Sequence, residues 1–456
     1  MDLHWLTAVE LNAGFISKKF SPLDVMKSLI ERADRLDPTI HAFIQLDRDA
    51  ALEQARVAEQ LIMRGQISGA LHGVPYGVKD LIDMAGQVTS CHSKVMSNHV
   101  AKHDAAVLRQ LKAAGAISLG KLALHEFAIG GPAFDLPFPP ARNPWNIKHH
   151  PGGSSSGSGA AVAAGFIPMA IGTDTGGSVR NPASACGLVG LKPTYDLVSR
   201  QGVYPLAFSL DHVGPLTRTV KDAAWFLDAM VGKVPGHGPD SYATSVDHGA
   251  KGLRVGFVRH FHENDMQADP QVSAALEESV RVFRQLGATV VDVTLPPLSL
   301  FNDTQKVILM SEGWAVHSRS LKERPMDYCQ MSRRKLLTGA FLSAGDYVHA
   351  MQRRGELIES VNRAFQDVDV LLVVNSMDPV CEIDDQVQVV RTYGRQARAA
   401  FNLTGHPALA LPNGLSSKGL PLSMQIIGRF WDEKTVLRAG AAFEQATDWH
   451  KRHPSL

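Results

Sequence analysis

The chain has 456 residues, 45% of them hydrophobic and 20% charged, with a formal net charge of +1. That is the composition of a folded globular protein rather than a disordered or fibrous one. A near-zero charge gives no electrostatic case for nucleic acid, and the four scattered cysteines (Cys91, Cys186, Cys329, Cys381) form no C-x-x-C pair, which speaks against a metal cage or a disulfide framework.

The N-terminal stretch "MDLHWLTAVELNAG" lacks a basic segment followed by an apolar core, so a secretory signal is not expected. Ser21-Pro22 is a good cap and first-turn pair, and the spacing of Val25, Leu29 and Ala33 predicts a helix over 21–36. "DRDAALEQARVAEQLIMR" predicts a second helix over 47–64. From about residue 71 short β-rich runs alternate with helices. "GVPYGV" precedes Lys79, and "AAVLRQLKAAGA" reads as a helix leading into the strand "AISLG". Strands are predicted at 253–258, 289–295, 368–374, 407–412 and 422–428, with helices near 270–286 and 433–446. The apolar run "AAVAAGFIPMAIG" is too short for a membrane span and contains a proline. The alternation predicts an α/β fold, a large mixed, twisted β-sheet covered by helices on both faces. With no repeat and no linker, the expectation is one domain over residues 1–456. The region 300–366 reads as helical, with Trp314, Tyr328, Phe341, Tyr347 and Met351 available to cover the sheet or line a pocket.

Three stretches carry the chemistry. "PGGSSSGSGAAVAAG" (151–165) is a glycine- and serine-rich turn running straight into a helix. A phosphate loop would need a lysine after its last glycine, and none is there. A flexible linker would not flow directly into an alanine run. The bland alternative is a tightly packed architectural turn at a helix N-terminus. "LHGVPYGVKD" (71–80) ends an apolar run in Lys79, and "IGTDTGGSVRNPAS" (171–184) sets Ser178 after two glycines, between Asp174 and Arg180.

Together these motifs resemble the amidase signature family, serine hydrolases with a Ser–cis-Ser–Lys triad. "GVPYGVKD", "GGSSSGSGAAVAAG" and "GTDTGGSVR" occur in the family's order, and the resemblance is densest over 70–225. Ser156 and Gly159 are mild departures. The resemblance implies Ser178 as nucleophile, Ser154 as a bridging serine at a cis peptide and Lys79 as the base. It also implies an oxyanion hole from the backbone of Thr175, Gly176, Gly177 and Ser178. Ala128, Ile129 and Gly130 would line the acyl pocket, Ser155 would support the turn, and Asp174 and Arg180 would form a structural pair. No cofactor and no metal is implied.

A serine hydroxyl attacks poorly unless a base takes its proton, and a lysine serves only when neutral, which burial favours. The competing reading of Lys79 is an ion pair with Asp80 or another acid. His72, His149 and His150 near the motifs read as structural histidines. "PAFDLPFPPARNPW" (132–145), rich in proline and phenylalanine, suggests a pocket for a small apolar or aryl group. Cys91-His92 replaces the family's usual small residue and glycine and reads as a repacked loop. "VVNSMDP" (373–379) replaces a common Pro-Thr pair and leaves that pocket wall open.

The function expected is hydrolysis of a small-molecule amide or urea-type C–N bond through an acyl-enzyme, by a cytoplasmic enzyme with no nucleic-acid or membrane partner. A homodimer is the common assembly of such enzymes. The alternative is the glutaminase (A) subunit of a tRNA-dependent amidotransferase, and a catalytically silent scaffold is a third reading.

Overall fold

A computed structural model describes residues 2–232 and 241–456. Its eleven strands are β1 (Phe43–Leu46), β2 (Pro75–Lys79), β3 (Ile117–Leu122), β4 (Met169–Asp174), β5 (Val189–Lys192), β6 (His212–Thr217), β7 (Arg254–Phe257), β8 (Thr289–Asp292), β9 (Val370–Val374), β10 (Ala408–Leu415) and β11 (Pro421–Ile427). They join in one sheet, in the order β1-β3-β2-β4-β6-β5-β10-β11-β9-β7-β8. The sheet is mixed. β3, β2 and β4 run parallel, as do β9, β7 and β8, and the pairs through the middle are antiparallel.

Successive strand residues face opposite sides of a sheet. Every residue of β2, β3, β4, β5, β6, β9 and β11 is buried, so both faces of the central sheet are covered. The edge strands β1 and β8 are short and partly exposed, a normal way to blunt an open edge.

The sequence-predicted strands and helices fall where expected, with ends shifted by a few residues. The first long helix runs Pro22–Ile40 rather than stopping at 36. It carries Pro38 inside its last turn and ends at His41 in the left-handed conformation. The helical region contains Leu298–Glu323, Gln330–Leu337 and Ala344–Ala364. Among the described residues no helix is long and apolar enough to cross a membrane.

The short helix Ser156–Ala163 is buried on all sides. Its small side chains are what allow that. A Cβ at Gly157 would fall 2.3 Å from the carbonyl oxygen of Ala42 and 2.5 Å from the Ala123 nitrogen. The glycine-rich turn is therefore packed structure, and no linker.

Candidate active site

β2 and β4 are parallel neighbours, and their C-terminal ends deliver Lys79 and Thr173 to the same place. The carboxyl ends of parallel strands are where open α/β sheets carry their sites. Lys79 is fully buried. Its Nζ donates to Thr173 Oγ1 (2.7 Å) and stands 2.9 Å from Ser154 Oγ. Burial lowers its pKa from 10.5 to about 7, partly opposed by Asp174 and Asp211. The ion pair considered for Lys79 is not formed with its neighbour: Asp80 stands 3.0 Å from Lys121 Nζ instead.

The Gly153–Ser154 peptide is cis. Ser155, which precedes the helix Ser156–Ala163, does not cap it. Its hydroxyl donates to the Thr173 carbonyl (3.2 Å) and accepts from the Thr173 N–H (3.3 Å), and its N–H donates to the Ser178 carbonyl (3.3 Å). The turn, β4 and the Ser178 loop are thereby stitched together. Asn181 Nδ2 adds a bond to the Gly153 carbonyl at 3.1 Å.

The loop after β4 is organised by Asp174. Its carboxylate accepts from the N–H of Gly177 (2.7 Å) and Val179 (3.1 Å), from Nε and Nη2 of Arg180 (3.0 Å each) and from Asn402 Nδ2 (2.8 Å). Burial opposes its charge, but the Arg180 guanidinium and these donors outweigh burial and hold the carboxyl below the usual range. Arg180 continues outward to Gln425 Oε1 (2.8 Å), Asn402 Oδ1 (2.7 Å) and the Arg398 carbonyl (3.0 Å). Thr175 is fixed through its hydroxyl to Asp211 (2.6 Å), and its carbonyl accepts from Gln305 (3.1 Å). Because the Gly177 N–H is engaged by Asp174, the oxyanion donors left from the expected set are Thr175, Gly176 and Ser178.

A cavity of about 130 Å³ opens in front of Ser178. Ser154, Thr175, Gly176, Gly177, Ala128, Ile129 and Gly130 line it, together with His125, Asn181, Leu206, Leu309, Lys335, Tyr393 and Arg398. The second group carries no signal in the sequence that marks it as part of a site. Of the five bulky residues of the helical region none lines this cavity: Tyr328 packs against Phe127 with ring centroids 5.4 Å apart, while Phe341 is 88% exposed. The segment 132–141 also lies elsewhere, lining a separate small cavity with His92. The proline- and phenylalanine-rich segment therefore does not line the cavity at Ser178. Cys91-His92 is a repacked loop: His92 Nδ1 accepts from the Leu124 N–H (3.3 Å), so Nε2 donates to the Phe138 carbonyl (3.1 Å). Both residues have positive φ.

His72 and His150 are held by local partners. His72 sits against the Ala58 carbonyl and Ser68, and His150 Nδ1 accepts from the Gly152 N–H at 3.0 Å. Burial lowers the pKa of His150 to about 3 and that of His125 well below its ordinary value. The cavity lining holds no carboxylate and no thiol to complete a metal site with His125. Elsewhere, His262, Glu263 and Glu277 approach one another, but Arg259 already bonds both carboxylates.

The family model described as Amidase matches residues 24–437. The A subunit of the glutamyl-tRNA(Gln) amidotransferase from Gloeobacter violaceus is 37% identical, over 98% of each chain. A solved structure described as a vestigial protein complex revealing the origins of an s-triazine catabolic enzyme superposes with a TM-score of 0.89 at 32% identity, over 96% of this chain and 98% of that one. The peptide amidase of Stenotrophomonas maltophilia does so with a TM-score of 0.88 at 28% identity, over 98% of each. The chain belongs to the amidase signature family, hydrolases that act on carbon–nitrogen bonds.

Proposed function

We propose that the chain hydrolyses a carboxamide through an acyl-enzyme on Ser178, with Ser154 as proton bridge and Lys79 as terminal base, all within one folded domain. The observation that carries this reading is the 2.9 Å separation of Lys79 Nζ from Ser154 Oγ, at a buried amine whose pKa is about 7. Neutral Lys79 takes the Ser154 proton as Ser154 takes that of Ser178. Ser178 Oγ then bonds to the carbonyl carbon, and the carbonyl electron pair moves onto oxygen. The N–H groups of Thr175, Gly176 and Ser178 are the donors available there, each worth roughly a hundred- to a thousandfold in rate. The proton returns along the same path to the nitrogen, the C–N bond breaks, and water repeats the sequence to release the acid.

The test is covalent labelling. A fluorophosphonate should modify Ser178, and Ser178→Ala should abolish both labelling and amide hydrolysis. Hydrolysis surviving in that variant would sink the assignment.

Two settings share this chemistry. In the first, the chain is the ammonia-releasing component of a tRNA-dependent amidotransferase. The Gloeobacter violaceus relative, named as part of such an enzyme and matched over nearly all of both chains, supports this setting over stand-alone action. The second is a small-molecule amidase, favoured by the charge of the cavity. Among the described residues its lining holds two cations and no acid to pair with the ammonium of free glutamine. Ammonia release from simple amides by the purified chain separates the two, since the first setting requires partner subunits. A cytoplasmic location belongs to both readings, in keeping with four unpaired cysteines.

A further inference from the structure

We infer that the cavity in front of Ser178 selects an amide that carries a carboxylate and no neighbouring ammonium, with Arg398 and Lys335 holding the carboxylate. The inference rests on Ser178 being the nucleophile and adds the substrate class.

Arg398 is 3% exposed. A buried guanidinium ordinarily sits against a carboxylate, because an unpaired charge away from water is costly. Here it does not. Nη1 bonds the Asn375 carbonyl (3.2 Å), Asn375 Oδ1 (3.1 Å) and the Ser376 hydroxyl, all neutral acceptors. Nε is buried and has no hydrogen-bond partner among the described residues. The acid nearest in the network, Asp174, is already bonded twice by Arg180. The guanidinium lies against the nucleophile loop: a Cβ at Gly177 would fall 2.5 Å from Arg398 Nε. Asn375 and Ser376 directly follow β9, in the "VVNSMDP" segment.

Lys335 supplies the second cation. Its Nζ donates to the Gly130 carbonyl at 2.7 Å, and both residues line the same cavity as Arg398. Burial lowers its pKa to about 8 and that of Arg398 to about 9, so both are mainly protonated at neutral pH. Among the described residues the cavity lining carries these two cations and no acid. The fork of an arginine matches a carboxylate in geometry. A neutral substrate would leave the buried Arg398 guanidinium and the half-buried Lys335 amine with no carboxylate partner in the cavity. The free volume, about 130 Å³, is near that of a cavity that accepts benzene, which suits a short monoamide of a dicarboxylic acid.

The test follows fluorophosphonate labelling of Ser178 in the full chain by mass spectrometry. Malonamate, succinamate, glutaramate and the uncharged amides of matching length compete with the probe. At least one carboxylate should halve the labelling rate at a concentration tenfold or more below its uncharged match. Glutamine should protect at least tenfold less well than glutaramate. Arg398→Gln and Lys335→Met should each narrow the carboxylate preference to within about threefold. Lys335, at the wall, keeps the question answerable if Arg398→Gln does not fold. Equal protection by charged and uncharged amides, or no protection by any carboxylate, overturns the inference while leaving the nucleophile standing. An equal loss of binding for both kinds of amide in Arg398→Gln assigns the guanidinium to the oxyanion and overturns it as well. If Ser178 is never labelled and no amide is cleaved, the nucleophile reading falls, and this inference with it.

Discussion

Lys79 and Ser154 stand 75 residues apart in the chain and 2.9 Å apart in the fold. The lysine arrives on a strand end and the serine on a turn, and Thr173 Oγ1 accepts a second bond from the amine at 2.7 Å. The amine works as a base only without its proton. For a neutral amide, kcat/KM should fall about tenfold per pH unit below pH 7 and level off above it, following the pKa of about 7. Burial holds the pKa of His150 at about 3 and that of His125 well below its ordinary value. A profile that is flat from pH 5.5 to 8 would remove Lys79 from the role of base.

The same burial makes Lys79 a burden on stability. Its pKa is 10.5 ordinarily and about 7 in the fold, so between those values the unfolded chain binds more protons and stability rises with pH. Below pH 7 the penalty is complete, roughly 5 kcal/mol by conversion of the shift. Lys79→Met should therefore lose turnover while folding at least as stably as the wild type at pH 7. Its advantage should shrink toward pH 9.5, as read by denaturant unfolding at both pH values. A difference that does not change with pH would contradict this origin.

Gly177 adopts φ +123°, a conformation that side chains disfavour, and a Cβ there would meet Arg398 Nε, Cδ and Cβ at 2.5, 2.7 and 2.8 Å. Gly177→Ala should displace the nucleophile loop and lower turnover by about a hundredfold or more, the scale of losing one oxyanion donor. Steady-state kinetics beside a thermal melt checks this, and near-wild-type turnover would show that the loop tolerates the shift.

Asp174 and Arg180 are both fully buried and 3.0 Å apart. Removing one charge leaves the other unpaired, which costs about 3–5 kcal/mol. Asp174→Asn should lower the melting temperature sharply. Asp174→Asn with Arg180→Met should recover part of that stability but not the activity, since the N–H groups of Gly177 and Val179 lose their charged acceptor. An additive double variant would disprove the coupling.

The local part of this site was legible in the sequence. An apolar strand ending in lysine, a turn of small residues and two glycines before a serine each announce their own conformation. The supporting groups were not. Asn402 and Gln425 reach Arg180 from 222 and 245 residues away, and Gln305 reaches Thr175 from 130. In the sequence "RQARAAFNLTG" looks like an ordinary helix with a polar face. Nothing local says that Arg398 turns inward, because what fixes it is Asn375, 23 residues earlier and just past the end of β9. The aromatic residues misled for a related reason. Phenylalanines at 134 and 138 suggest a pocket by composition, whereas burial is decided by which wall the segment lies against.

The connections of Arg180 bear on how the chain could be divided. Residues 79, 154 and 178 all precede the midpoint, so an N-terminal piece ending after β6 would carry all three groups of the proposed triad. It would lack Asn402, Gln425 and the carbonyl of residue 398, which meet the guanidinium and, through Asn402, Asp174 itself. Such a fragment would retain the reagents without the vice that aligns them. Splitting, swapping or circularly rearranging the polypeptide can therefore preserve function only if the last strands of the sheet remain in place.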